Sequence, residues 1–153
     1  MKKKRSERLD VILRLAQQRE EQATRALGIA QSVLAAEQQK HVELTQYEQE
    51  YVAAMPTGAE NTVVNPTLVI NWNLFLRRMR LAISQQGDVI VEAEKRLQQR
   101  LIAWQKAHMK RQSLHDLVKR ARSKEGVLEE KKIQRDIDDR STLRSHVARE
   151  SGR

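Results

Sequence analysis

The chain has 153 residues, 29 of them Lys or Arg against 20 Asp or Glu, which gives a formal net charge of +9 and a pI near 10.2. Five Gly and two Pro are too few for the closely spaced turns of a sandwich or an α/β domain, so strand-rich folds are excluded and long helices remain. With no cysteine there is no disulfide framework, no thiolate metal site and no cysteine nucleophile.

The Lys2-Lys3-Lys4-Arg5 start runs into Glu7, Arg8 and Asp10 instead of an apolar stretch, and the longest apolar run is Tyr51 to Met55. Neither a signal peptide nor membrane insertion is expected. From Leu9 the positions Leu13, Ala16, Glu20, Ala23, Leu27, Ala30, Leu34, Glu37, His41, Leu44, Glu48, Tyr51 and Met55 advance by fours and threes without a slip. Ten of these fourteen are apolar, well above the 39% of the chain, so the spacing predicts a first helix over about 5–55 with a coiled-coil seam.

Residues 56–66 break the pattern, and Asn65-Pro66 reads as an N-cap followed by proline at the first helical position. The second helix is predicted over about 67–139. Its seam runs Trp72, Leu76, Met79, Ile83, Gln86, Ile90, Ala93, Leu97, Arg100, Trp104, Ala107, Arg111, Leu114, Val118, Ala121, Glu125, Leu128, and residues 140–153 read as a polar tail. Gly28, Gly87 and Gly126 lie inside the helices, each at a cost of ~1 kcal/mol relative to Ala.

Two such helices joined by a loop of about ten residues fold back so that each buries its stripe on the other. The predicted fold is therefore all-α, an antiparallel two-helix coiled-coil hairpin with unequal arms, forming one domain over 1–153. Facing residues should carry numbers summing to roughly 122, if pairing is symmetric about the loop. That sets Tyr51 beside Trp72, Tyr47 beside Phe75, Leu44 beside Met79, and Leu9 opposite about residue 113.

Charge is segregated along the chain. Residues 1–19 carry +5, 20–60 carry −5, and 95–124 carry +9, while the remaining segments balance. A charge run on a helix is ordinarily a solvated face, but folding back brings the two basic blocks together, and such a concentration favours an acidic partner surface. Among the glycines there is neither G-x-G-x-x-G nor a phosphate-cradling G-x-x-x-x-G-K-[ST]. His41, His108, His115 and His146 lack metal-ligand spacing, and no carboxylate pair shares a helix face for acid/base work, so no enzyme activity, metal or cofactor is expected. The aromatics Tyr47, Tyr51, Trp72 and Phe75 can close the seam near the loop. Two helices cannot bury all four, and a half-exposed aromatic patch is also a binding surface.

Arg8-Leu9-Asp10-x-Ile12-Leu13-x-Leu15-Ala16, Tyr47-x-x-x-Tyr51 before the loop, and Trp72-x-x-Phe75-Leu76 with Ala82-Ile83-x-Gln85-Gln86 after it resemble the flagellar export protein FliJ family. Trp104, the basic run to Arg122 and Glu130-Lys131-Lys132-x-x-x-Asp136 extend the likeness over most of the chain. The resemblance implies a cytoplasmic component of the flagellar type III protein export apparatus, peripherally associated with its inner-membrane part and similar to the stalk subunit of rotary ATP synthases. The partners it implies are the export ATPase FliI hexamer, whose assembly and activity it promotes, FliH, the cytoplasmic domain of the export gate protein FlhA, and the export chaperones. By the same resemblance the gate-binding face falls on Leu44, Tyr47, Tyr51, Phe75, Met79, Ala82 and Gln86. Met79 stands where the family pattern has leucine and Gln86 where it has histidine. The ATPase contact falls on the terminal halves of both helices, where charge alone singles out Arg8, Arg14, Arg111 and Arg120. The alternatives are a basic coiled coil that binds nucleic acid or an anionic surface, for which no stacking sheet, basic-zipper fork or apolar insertion face is present, and the equivalent stalk of an injectisome.

Overall fold

The structure is a computed structural model, and it describes residues 4–55 and 64–150. Two helices make up the fold: α1, Arg5–Ala53, and α2, Pro66–Glu150. They pack against each other as an all-α helical hairpin, with no strand among the described residues. Most of the predicted loop, residues 56–63, lies outside the described residues, as do the ends of the chain at 1–3 and 151–153.

The start of α2 follows from two residues. Pro66 occupies the first helical position, where its missing N–H costs nothing, and the Asn65 side chain accepts a hydrogen bond from the Thr67 N–H at 3.0 Å. The Asn65 carbonyl then accepts from the Leu68 N–H at 3.0 Å. At its other end α2 continues to Glu150, beyond the end near 139 that the fading apolar seam suggested. Helical hydrogen bonds are local and need no seam, and here the hydroxyls of Ser141, Thr142 and Ser145 return to carbonyls three residues back. Every residue from Gly126 to Glu150 is exposed.

The chain divides into two compact units, Glu21–Lys106 and Met1–Glu20 with Ala107–Arg153. In both, the core is the seam and is thin. Among the described residues, only Leu13, Ala16 and Val118 in the terminal unit and Ala93 in the central one are buried apolar side chains. All thirteen seam positions of α1, and Met55 just beyond it, are at least partly buried. In α2 the seam holds with two departures. Leu101 turns inward in place of the exposed Arg100, and Leu128 stands 67% exposed.

In the central unit Tyr51 meets Trp72 and Gln86 meets Glu37, as the expected register requires, while Glu48 meets Arg80 and Thr24 meets Trp104 at numbers that total 128. The terminal unit is paired differently. Ser6 meets Glu125 and Asp10 meets Arg122, so Leu9 lies opposite the turn around residue 122 and not residue 113. The seam repeats every three to four residues, so more than one pairing keeps apolar positions together and periodicity alone cannot choose between such registers. Polar partners make the choice here.

Candidate functional site

The central unit carries the aromatic face. Tyr51, in the last turn of α1, stacks on Trp72 of α2 with ring centroids 4.1 Å apart and planes 19° apart. Phe75, one turn further along α2, lies 4.6 Å from the same Tyr51 ring at 49°. The sequence expectation that Phe75 pairs with Tyr47 is thus corrected. Tyr51 is the ring close enough for both α2 aromatics, and Tyr47, one turn earlier, projects away at 62% exposure beside Glu43 and Glu50. Phe75 keeps 47% of its surface exposed even while packed on Tyr51. The indole N–H of Trp72 is buried without a hydrogen-bond partner among the described residues.

The remaining residues of the predicted gate-binding face lie in the same unit. Leu44 and Met79 are partly buried seam residues, and Ala82, beside the seam, is partly buried too. Gln86 has an internal role: its amide donates to the Glu37 carbonyl at 2.9 Å and to the Glu37 carboxylate at 2.6 Å. Gln86 and then Lys40, at 2.9 Å, hold the Glu37 carboxyl below its usual pKa. A second cross-helix tie, Arg80 Nε to Glu48 at 2.6 Å, lies nearer the aromatics. Trp104 closes the other side of this unit by donating its indole N–H to Thr24 at 3.0 Å.

The terminal unit is where the basic segments meet. Of the four arginines singled out by charge, Arg8, Arg14 and Arg120 are exposed and make no ion pair among the described residues. Arg111 does not belong with them. It occupies a seam position, and its Nε donates to Glu20 at 2.5 Å, while Glu20 also meets His108 Nδ1 at 2.7 Å. The hydrogen bond from His108 and then that from Arg111 lower the Glu20 pKa. Near the start of α1 the Ser6 N–H donates to one Glu125 oxygen at 3.0 Å and the Ser6 hydroxyl to the other at 2.5 Å. A carboxylate from α2 thereby caps the N-terminus of α1, where unpaired N–H groups favour negative charge. These two bonds hold Glu125 below its usual pKa, with the Lys4 charge assisting. Arg120 lines a groove of about 410 Å³ with Arg5, Leu117, Lys124 and Leu128.

No group of His, Asp and Glu able to hold a metal is present among the described residues, and no helix there is long and apolar enough to cross a membrane. Spacing did not anticipate the Glu125 cap, because a heptad template treats Glu125 as an imperfect apolar position. The Ser6-to-Glu125 contact links residues 119 positions apart and exists only in the folded register.

Two long helices packed as a hairpin, with aromatic side chains of both helices in one unit and basic side chains of both in the other, define the class: an all-α coiled-coil hairpin. The family model described as Flagellar FliJ protein matches residues 5–150, and the chain belongs to this family, whose role lies in flagellar protein export. No curated protein and no solved structure matches the chain.

Proposed function

We propose that the chain acts by binding and not by catalysis, as a cytoplasmic stalk of the flagellar type III export apparatus. The aromatic face of Tyr47, Tyr51 and Phe75, flanked by Leu44, Met79, Ala82 and Gln86, binds the cytoplasmic domain of the export gate FlhA. The basic face of Arg8, Arg14 and Arg120 engages the FliI ATPase ring, promoting its assembly and activity, with FliH and the export chaperones as further partners. Arg111 contributes through the Glu20 pair and not as a direct contact.

The observation that carries this reading is the pair of exposed rings at the aromatic face. Tyr47 and Phe75 lie off the seam and keep 62% and 47% of their surface in water, on either side of the Tyr51 and Trp72 stack. Exposed aromatics next to an ordered stack are the anchors of a protein interface.

The test is the ATPase rate and ring assembly of the purified export ATPase with and without this chain, across a salt series. Stimulation that fades with salt and with charge reversal at Arg8, Arg14 and Arg120 supports the stalk. Absence of stimulation, with tight salt-dependent binding to duplex DNA instead, overturns it in favour of a phosphate-binding coiled coil.

A further inference from the structure

Within the central unit a groove of about 470 Å³ opens between α1 and α2, away from the aromatic face. Its floor is Ala26, Ala30 and Ala93, where short side chains leave the space between the helices unfilled. Ile29 and Val33 form its wall on α1, and Arg96, Gln99 and Arg100 its wall on α2. Ile29 is 66% exposed and Val33 43% exposed. Neither belongs to the seam. They stand one turn apart on a separate apolar line that continues to Ala36, with Arg25 beside them.

The charge of this wall has one sign. Arg25, Arg96 and Arg100 make no ion pair among the described residues, and no acidic side chain lines the groove. Arg100 sits where an uninterrupted seam would turn it inward. Leu101 takes the inward place, and Arg100 stands at the groove edge instead.

We propose that this groove docks one further amphipathic α-helix, carried by another protein and bearing acidic residues on the flanks of its apolar stripe. A channel between two antiparallel helices accepts the ridge of a third, and an alanine floor permits close approach. Apolar anchors at i, i+3, i+4 and i+7 of the incoming helix cover Ile29 and Val33, while its flanking carboxylates reach the three arginines, whose guanidinium groups suit paired bonds to carboxylates. The length from Ala26 to Ala36, about 15 Å at 1.5 Å per residue, matches roughly three turns of such a helix. A nucleic acid would satisfy the arginines and leave Ile29 and Val33 in water. The site shares no residue with the aromatic or basic faces, so it stands or falls separately from the stalk reading.

The probe is a synthetic 21-residue amphipathic peptide with leucines at heptad spacing and flanking glutamates, titrated onto the full chain by fluorescence anisotropy. A matched peptide with lysine in place of glutamate is the control. The glutamate peptide binds, the lysine peptide does not, and affinity falls at least about tenfold in Ile29→Asp and in the double variant Arg96→Glu, Arg100→Glu. Charge reversal elsewhere, at Lys119→Glu with Lys124→Glu, changes it less than about threefold. No binding, equal binding of both peptides, or equal loss on reversal at Lys119 and Lys124 overturns the proposal. So does concentration-dependent dimerisation by sedimentation that Ile29→Asp abolishes, since the groove would then hold a second copy of this chain. All five altered residues are exposed, and unchanged far-UV circular dichroism verifies that the variants fold.

Discussion

Glu125 receives both the N–H and the hydroxyl of Ser6, 119 positions earlier in the chain. A helix begins with N–H groups that have no partner in their own turn, and a residue of the opposite helix supplies one here. Because Ser6 is 6% exposed, its hydroxyl has little water to fall back on. Ser6→Ala is expected to lower the stability of the terminal unit by about 1 kcal/mol, read as earlier hydrogen exchange in the first turns of α1. Amides around Tyr51 should exchange as before.

Acid should loosen the hairpin. The folded-state pKa values of Glu20, Glu37 and Glu125 all lie below the unperturbed 4.5. In the range between the lowered and unperturbed values the unfolded chain binds more protons, so stability rises with pH there. The contribution is complete above 4.5 and is lost as pH falls through the lowered values. Helicity followed during thermal melts from neutral pH downward should show the melting temperature falling below about pH 4.5. In Glu125→Gln the fall should be shallower, and an unchanged slope would show that this carboxylate is not held by Ser6.

The two tyrosines should separate stability from recognition. Tyr51 touches both Trp72 and Phe75, so Tyr51→Ala costs about 2 kcal/mol in the melt of the central unit. Tyr47 has no ring partner among the described residues, and Tyr47→Ala leaves stability within about 0.5 kcal/mol. Binding to the gate domain should nonetheless weaken in Tyr47→Ala, measured by calorimetry. Unchanged affinity there would remove Tyr47 from the interface.

Helical glycines offer a gain without a cost in packing. At Gly28 and Gly126 an added methyl group meets no heavy atom within 4 Å. Gly28→Ala and Gly126→Ala are each expected to stabilise their helix by up to about 1 kcal/mol, seen as a rise in melting temperature. A fall at Gly28 would mean that the position is covered by a neighbour in solution.

Arg111 provides a contrast within the basic face. Arg111→Ala removes one of the two basic groups that Glu20 meets across the hairpin, so the terminal unit should melt earlier. Arg120→Ala, with no ion pair to break among the described residues, should leave the melt unchanged and act only on partner binding. Equal destabilisation by both would contradict this division.

Much of this molecule was determined by local rules that act along the sequence. Apolar steps of four and three need only the helical period to select a face, and the α1 seam from Leu9 to Tyr51 is turned inward at every position. Asn65-Pro66 is a local signal too, since cap and first turn lie within four residues. The Tyr51 and Trp72 pair followed because both lie close to the loop, where little register error can accumulate.

Tertiary structure decided what periodicity leaves degenerate. The seam period fits more than one pairing of the two helices, so contacts across the hairpin set Ser6 against Glu125, Asp10 against Arg122, and Leu101 in place of Arg100 in the seam. It also decided which arginines are engaged: Arg111 and Arg120 read alike as charges, yet only Arg111 reaches a carboxylate across the hairpin. The reason is physical. Helix phase is set by neighbours three and four residues away, whereas register and charge pairing are set by contacts between residues that the sequence separates by up to 119 positions.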